Sequence, residues 1–397
     1  MPARHRARGH LLPRATIALV QVLGLAVWFS ASAVVPDLRR EWGIGTGAAV
    51  GLTVSVQLGF VAGAVASALL TLPDRLRPHR LLAGSALGAA GTTLLLATVA
   101  DGPVGALALR ALTGVFLAGV YPVGMKLMTS WSGAAHRGRD LGLLVGALTV
   151  GSALPHLPAT GLPWRVVLAA PAAAGLVAAL LAAVAVRPGP HHAPSPPPDP
   201  GYAARMLRDR GPRLVVLGYL GHMWELYALW TWLPTWLGAT GTGLPVGAVV
   251  FTAVGLAGAA GCLFAGRVAD VVGTVPVAAA ALAASGTCCL LSPVLVDAGP
   301  AGLALFCAVW GAAAVADSAL FTAALSTVAD RRYTGTALTV QTALGFLLTA
   351  ASIELVGLVA GVVGWRYAFL TLLVGPVLGV VALRRLLPAR VPATAYT

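Results

Sequence analysis

Long apolar stretches alternate along the chain with short breaks that hold proline, glycine or charged residues. A bilayer core about 30 Å thick is crossed by a helix of roughly 20 apolar residues. The pattern therefore predicts an all-α integral membrane protein with twelve transmembrane helices. These are expected near residues 15–36, 47–70, 80–100, 103–128, 138–158, 165–186, 214–237, 246–266, 274–296, 301–328, 336–360 and 366–387.

The break between the sixth and seventh predicted helices is much longer than the others. It contains a cluster of prolines that begins at Pro194 and ends at Pro200, and such a segment cannot continue a helix. We expect an exposed linker at residues 187–213. It would join two six-helix bundles at residues 1–186 and 214–397, the second of which ends in a short tail.

Composition supports the membrane assignment. Hydrophobic residues make up 58% of the chain and charged residues only 10%, whereas soluble proteins carry roughly a quarter charged residues. The formal net charge of +13 comes from basic residues scattered between apolar runs, so we expect no nucleic-acid partner. The four cysteines lie in apolar segments without the spacing of metal ligands, and no metal or cofactor site is predicted.

The basic residues also predict an orientation. If the N-terminus is cytoplasmic, 20 of the 26 basic residues fall on the cytoplasmic side, four fall on the opposite side and two lie inside the fourth helix. The positive-inside rule favours this topology. We therefore expect a multi-pass protein of the cell membrane, with both termini in the cytoplasm, that works as a monomer in the lipid bilayer.

Several residues recur in the two halves at nearly one spacing. Two copies in the same orientation imply halves related by an axis along the membrane normal, with a substrate cavity between them. The recurring pairs are Trp28 and Trp224 (196 residues apart), Asp74 and Asp270 (196), Pro36 and Pro234 (198), and Trp164–Arg165 and Trp365–Arg366 (201).

The segment from Gly266 to Gly273 resembles the loop motif G-x-x-x-D-(R/K)-x-G of the major facilitator superfamily, which follows the second and eighth helices. This copy keeps both glycines and Asp270, while the first copy keeps Asp74 and Arg75 but lacks the glycines. The resemblance covers essentially the whole chain and implies the major facilitator fold. It also implies a gate at these residues that latches the halves on the cytoplasmic side, with ordinary topology-setting charges as the alternative.

The fourth helix carries Arg110 and Gly114, which resemble the family's Arg-x-x-x-Gly pattern. In the family this arginine has been associated with proton coupling. A guanidinium can also bind an anionic substrate bidentately, or it can pair with a carboxylate such as Glu225 or Glu354. Lys126, the only lysine, lies near the end of the same helix and is interpreted as structural, because it can reach the interface.

Ionisable residues inside the other helices are candidates for chemistry, because a charge at mid-bilayer costs at least ~2.5–3.5 kcal/mol without a partner. His222 and Glu225 lie three residues apart on one face of the seventh helix. They are the main candidates for proton coupling, with a structural hydrogen-bond clamp as the alternative. Asp317 and Glu354 are further candidates, as partners or as a second proton site.

Aromatic and polar residues within the helices are candidates for substrate contacts. The seventh helix is unusually aromatic, and some of its rings are expected to line the cavity, whereas Trp232 and Trp236 are expected in the interfacial aromatic belt. Hydrogen bonds between helices explain the polar candidates equally well. The full set of substrate-binding candidates is Arg110, Tyr121, Trp28, Trp224, Tyr227 and Gln341.

These features predict a secondary transporter, not an enzyme, that moves a small solute by alternating access. No Walker loop occurs, so we expect an ion gradient, of protons, to drive it. Arg110 favours a small organic or inorganic anion, whereas Glu225, Asp317 and the aromatic lining favour efflux of a cationic or amphipathic drug. Family members that carry nitrate or nitrite have paired arginines in the second and eighth helices, and the absence of arginine from these two predicted helices counts against that substrate. A membrane sensor or enzyme is the least favoured class.

Overall fold

A computed structural model describes residues 2–70, 72–132, 137–157, 162–191, 199 and 201–387 of the chain. Within these ranges the regular secondary structure is helical, without a strand. Nine helices of the described part are long and apolar enough to cross a membrane. The protein is therefore an all-α, multi-pass membrane protein, as predicted.

Helices occupy all twelve predicted positions. Those outside the group of nine are the first, whose apolar part is short, the fifth, which has 17 residues, and the aromatic seventh. We number the twelve in chain order as Pro2–Leu25 (α1), Thr46–Leu69 (α2), Pro78–Val99 (α3), Pro103–Ser130 (α4), Arg137–Ala153 (α5), Trp164–Val184 (α6), Arg210–Ala239 (α7), Val246–Val272 (α8), Thr274–Leu295 (α9), Gly299–Val328 (α10), Thr334–Val363 (α11) and Trp365–Arg384 (α12).

The linker is more ordered than predicted. It contains a short helix, Tyr202–Arg208, and α7 begins several residues earlier than the apolar pattern indicates. Where the chain leaves α6, the Trp131 indole donates to the Arg187 carbonyl at 2.8 Å. The proline cluster lies outside the described residues, so the exact domain limits stay a prediction.

The first span is broken rather than continuous. α1 ends at Leu25, and after a turn the chain forms two short helices, Ser30–Ala33 and Val35–Trp42. The turn carries Trp28 and Phe29, whose side chains are only 1% and 2% exposed. The break therefore places two large aromatic rings inside the protein at a point where the backbone leaves helical geometry.

Two further spans are interrupted at equivalent points of the repeat. α4 turns at residues 118–120 and α10 turns at Asp317, positions that differ by about the spacing of the two halves. α8 also contains a π-helical segment, Phe251–Ala257. Such interruptions are frequent at functional sites because they redirect side chains and free backbone carbonyls.

The internal repeat extends to ion pairs at the side of the protein that is poor in basic residues. Arg165 lies 3.8 Å from Asp101, in the loop before α4. Arg366 lies 2.5 Å from Asp297, in the loop before α10. Because Asp101 and Asp297 are themselves 196 residues apart, both halves use the same contact to tie their last helix to the same loop.

Close packing of small residues holds each bundle together. A Cβ atom added to Gly114 of α4 would lie 2.1 Å from the Val56 carbonyl oxygen of α2. In the second half, a Cβ atom added to Gly261 of α8 would lie 2.3 Å from the Ala312 carbonyl oxygen of α10. Membrane helices associate in this way because small residues let two backbones approach closely.

The two bundles meet along two seams, between α5 and α8 and between α2 and α11. On the first seam Gly138, Gly142 and Gly146 recur every four residues and face Gly266, the Cys262 carbonyl and Ala259. The α5 glycines thus serve helix packing. Aromatic rings line the second seam, which leads to the centre of the molecule.

Candidate functional site

Five aromatic rings from both bundles meet between them. The ring of Trp28, in the turn after α1, has its centroid 5.2 Å from that of Phe60 of α2 and 5.2 Å from that of Phe346 of α11. From α7, Tyr227 lies 5.8 Å from Trp28, and Trp230 lies 5.4 Å from Tyr227. We call these five residues the aromatic cluster. Each is at most 3% exposed, so both bundles close around it.

Several buried polar atoms at the aromatic cluster have no hydrogen-bond partner within the described residues. They include the indole nitrogens of Trp28 and Trp230 and both amide atoms of Gln57, which lies one turn from Phe60 on α2. A buried polar group without a partner costs about 1–3 kcal/mol. The aromatic cluster therefore combines apolar rings with buried hydrogen-bond donors that have no partner among the described residues.

Arg110 is completely buried and is bound to backbone carbonyls. Its guanidinium donates to the carbonyl oxygen of Val27 at 3.0 Å, to that of Trp28, and to that of Leu52 at 3.4 Å. The first two carbonyls are freed by the break after α1, where a cation is favourable at a helix C-terminus. The pairing of Arg110 with Glu225 or Glu354, one of the alternatives that the sequence left open, is wrong, because the guanidinium binds the carbonyls at the broken end of α1 instead.

Glu225 is buried inside the C-terminal bundle, where three side chains donate to its carboxylate. The Trp310 indole of α10 donates to Oε1 at 2.7 Å, the Cys289 thiol of α9 lies 3.4 Å from the same oxygen, and Ser285 of α9 donates to Oε2. No arginine or lysine of the described part forms an ion pair with it. The carboxylate therefore rests on neutral donors alone.

His222 and Asp317 form a second buried polar pair in the same bundle. Nδ1 of His222 lies 2.8 Å from Oδ1 of Asp317 at the break of α10, and Nε2 lies 3.1 Å from the Ser318 hydroxyl. The ring also packs against Phe321. His222 and Glu225 share a face of α7 as expected, but each has its own partners.

The remaining candidates lie away from these contacts. The Trp224 indole donates to the Thr371 carbonyl of α12 at 3.0 Å, and Tyr121 begins the second segment of α4, where it is half-buried. Gln341 is buried on α11, with its Oε1 unpartnered in the described part. Glu354 is exposed on the outer face of α11, so the expectation that its carboxylate is buried is wrong.

The two tryptophans assigned to the interfacial belt are interior residues. Trp232 is 7% exposed and donates to the Ile353 carbonyl of α11 at 2.8 Å. Trp236 is 1% exposed and packs against Phe369 of α12. The prediction of an aromatic belt at these positions is therefore wrong, because α7 lies inside the C-terminal bundle over most of its length.

The second copy of the loop motif lies at the seam between the bundles. Gly266 faces Gly138, and Oδ1 of Asp270 would lie 3.0 Å from a Cβ atom on Gly138, in the first turn of α5. A carboxylate is favourable there because it faces the positive end of the helix dipole. Gly273 has φ +102°, a conformation that favours glycine, and ends α8.

The first copy of the motif is only partly described. Arg75 is exposed at the end of the short helix Leu72–Arg75, and the side chain of Asp74 lies outside the described residues. The gate role of both copies stays a prediction.

Sequence reasoning missed one buried ion pair. Asp140 of α5 is 1% exposed, lies 3.3 Å from the Arg14 guanidinium of α1 and accepts a 2.7 Å hydrogen bond from Ser132. The same guanidinium donates to the Trp131 carbonyl at 2.6 Å. These contacts tie α1, α4 and α5 together at the basic ends of the helices. The signal was ambiguous because Asp140 lies in the first turn of the fifth predicted helix, beside Arg137 and Arg139, where a topology-setting charge is also expected.

Two bundles of membrane helices in parallel repeat, with buried charges inside each bundle, define a multi-pass membrane transporter. The model of the Major Facilitator Superfamily matches residues 17–353, and the chain belongs to that family. No match was found among curated proteins.

A solved structure supports the fold. The human organic anion transporter MFSD10 (TETRAN) matches with a TM-score of 0.68 and 17% sequence identity, over 94% of this chain and 99% of that one. At this identity the likeness concerns the fold alone. It confirms the predicted architecture of two parallel-repeat bundles.

Replacing Arg110 by lysine tests whether this residue braces α1. We expect the Arg110→Lys variant to melt several degrees lower, since one ammonium group cannot reach both the Val27 carbonyl after α1 and the Leu52 carbonyl of α2, and each lost hydrogen bond to a charged group costs about 1.5–3 kcal/mol. The matched control is Arg80→Lys, at an exposed site of α3. Unchanged melting of Arg110→Lys, together with weakened substrate binding, would assign Arg110 to the substrate instead.

Proposed function

We propose that the protein is a secondary active transporter that moves an amphipathic organic solute by alternating access and couples this movement to protons. The observation that carries the proposal is the aromatic cluster, in which the indole N–H groups of Trp28 and Trp230 have no partner within the described part of the chain. Its rings come from both bundles. Rocking of the bundles would therefore expose the site to one side of the membrane at a time.

The chemistry of the site favours a neutral or anionic solute with an apolar body. Aromatic rings bind the apolar part, while the indole N–H groups and the Gln57 amide donate to acceptor atoms. The aromatic cluster contains no carboxylate, and Glu225 has donors within its own bundle, which disfavours a cationic drug. The name of MFSD10 as an organic anion transporter points the same way, although that likeness concerns only the fold.

Glu225 is our candidate for proton coupling. Its carboxylate is held by neutral donors from α9 and α10, and these contacts depend on how the two helices pack against α7. His222, one turn away on α7, and its partner Asp317 on α10 supply a second exchangeable proton. Bundle movement that admits water to this region would change the protonation of the carboxylate.

The basic side of the protein is, in this proposal, the cytoplasmic side of the cell membrane. Positive-inside topology supports this orientation. The contact of Asp270 with the start of α5 would then help to close the cytoplasmic side, as the loop motif implies.

Removing single indole donors tests the substrate site. We expect Trp28→Phe and Trp230→Phe to keep the ring packing but to weaken solute affinity about five- to tenfold each, because a net hydrogen bond contributes about 1–1.5 kcal/mol. Binding can be measured in liposomes by exchange of a radiolabelled ligand, which does not depend on tryptophan fluorescence, across a panel of neutral, anionic and cationic amphipathic compounds. Trp224→Phe is the control, since its indole donates outside the aromatic cluster. If all three variants bound the solute with the same affinity, the assignment of the aromatic cluster as the solute site would be contradicted.

Replacing Glu225 by glutamine tests the coupling. We expect the Glu225→Gln variant, in liposomes that enclose a pH-sensitive dye, to lose proton movement driven by the solute while it still exchanges solute across the membrane. The matched control is Glu354→Gln, which alters an exposed carboxylate on α11 and should leave the coupling intact. Coupled proton flux that persists in Glu225→Gln would rule out this residue as the coupling site.

A further inference from the structure

Exposed arginines gather at the basic side of the C-terminal bundle, where α7 begins and α12 ends. The Arg210 guanidinium donates to the Arg385 carbonyl at 3.1 Å, and Arg213 donates to the Arg208 carbonyl at 3.4 Å. The close packing of α7 against α12 therefore brings the arginines at the start of α7 close to those at the end of α12. We call this set the arginine cluster; it consists of Arg208, Arg210, Arg213, Arg384 and Arg385.

The arginine cluster carries more positive charge than its surroundings neutralise. Among the described residues, no carboxylate forms an ion pair with any of the five. Asp209 is exposed within the same segment and offsets at most one charge, while the nearby Asp199 is already paired with Arg205. Like charges held this close favour the binding of an anion.

The position of the arginine cluster says which kind of anion fits. Exposed apolar side chains continue from it along the two helices toward the membrane interior: Leu217 of α7 is 45% exposed, and Val381 and Leu378 of α12 are 45% and 61% exposed. Leu217 is one turn from Arg213, and Val381 is one turn from Arg384 and Arg385. A ligand with a negative headgroup and acyl chains meets both surfaces, whereas a soluble anion uses only the first.

We propose that the arginine cluster binds the headgroup of an anionic phospholipid, whose acyl chains lie along Leu217 and Val381. Guanidinium groups bind phosphate oxygens bidentately. The bound lipid bridges the first turn of α7 and the last turn of α12. Because α7 also carries Glu225 and His222, lipid binding steadies the helix that holds the buried polar residues of this bundle.

Native mass spectrometry of the purified full-length protein, titrated with phosphatidylglycerol, tests this proposal. The test variant combines Arg210→Gln, Arg384→Gln and Arg385→Gln. The matched control combines Arg80→Gln, Arg187→Gln and Arg267→Gln, which removes the same charge from exposed positions near the ends of three other helices of the same side, α3, α6 and α8. Phosphatidylcholine and glycerol 1-phosphate serve as the zwitterionic lipid and the soluble phosphate.

We expect the dissociation constant for phosphatidylglycerol to rise about five-fold for each arginine removed in the test variant and to change little in the control. Equal losses in both variants would show a general effect of surface charge and overturn the proposal, as would equal binding of phosphatidylcholine. Binding of glycerol 1-phosphate as tight as that of the lipid would also overturn it, because a soluble phosphate would then be the ligand. The melting temperature of the lipid-free test variant should equal that of the wild type, which excludes misfolding as the cause of weaker lipid binding.

Discussion

An ionisable side chain inside a bilayer must find its partners within the protein, because lipid supplies none. Arg110 meets this constraint with the carbonyls of Val27, Trp28 and Leu52. Glu225 meets it with donors from α9 and α10, and His222 meets it with Asp317. Each of these sets lies inside a single bundle. Within the described residues, no ion pair joins the N-terminal bundle to the C-terminal one.

The contacts that do join the bundles are of another kind. They include the glycine seam between α5 and α8, the aromatic cluster, and a long hydrogen bond of 3.5 Å from Thr149 to the Gly255 carbonyl. Such contacts can be broken without leaving a charge unpaired in the membrane. We infer that the bundles can part on either side while their internal polar contacts stay intact, which is what alternating access requires.

The membrane-spanning helices and the internal repeat could be predicted from the sequence, because bilayer thickness sets helix length and a duplicated pattern sets the register of the halves. The hydrogen-bond partners of the buried side chains could not be predicted. The carbonyls that bind Arg110 are freed by a break in α1, which the apolar pattern does not reveal. Trp232 and Trp236 were misplaced for a related reason: the periodicity of a helix shows which residues share a face, but not whether that face meets lipid or protein. Glu354 shows the converse error, since its outward direction depends on where α11 meets α2 and α7.

The central claim, that the bundles move as two bodies, is tested most directly by spin-label distances on both faces. One pair, Arg139→Cys and Arg267→Cys, lies at the basic ends of α5 and α8, and the other, Leu162→Cys and Ala239→Cys, lies at the opposite side; the native cysteines are buried. The measurement is repeated at several pH values and with the transported solute. The account predicts that molecules in which the distance on one face is longer have a shorter distance on the opposite face. Distances that stay fixed, or that lengthen together on both faces, would contradict it.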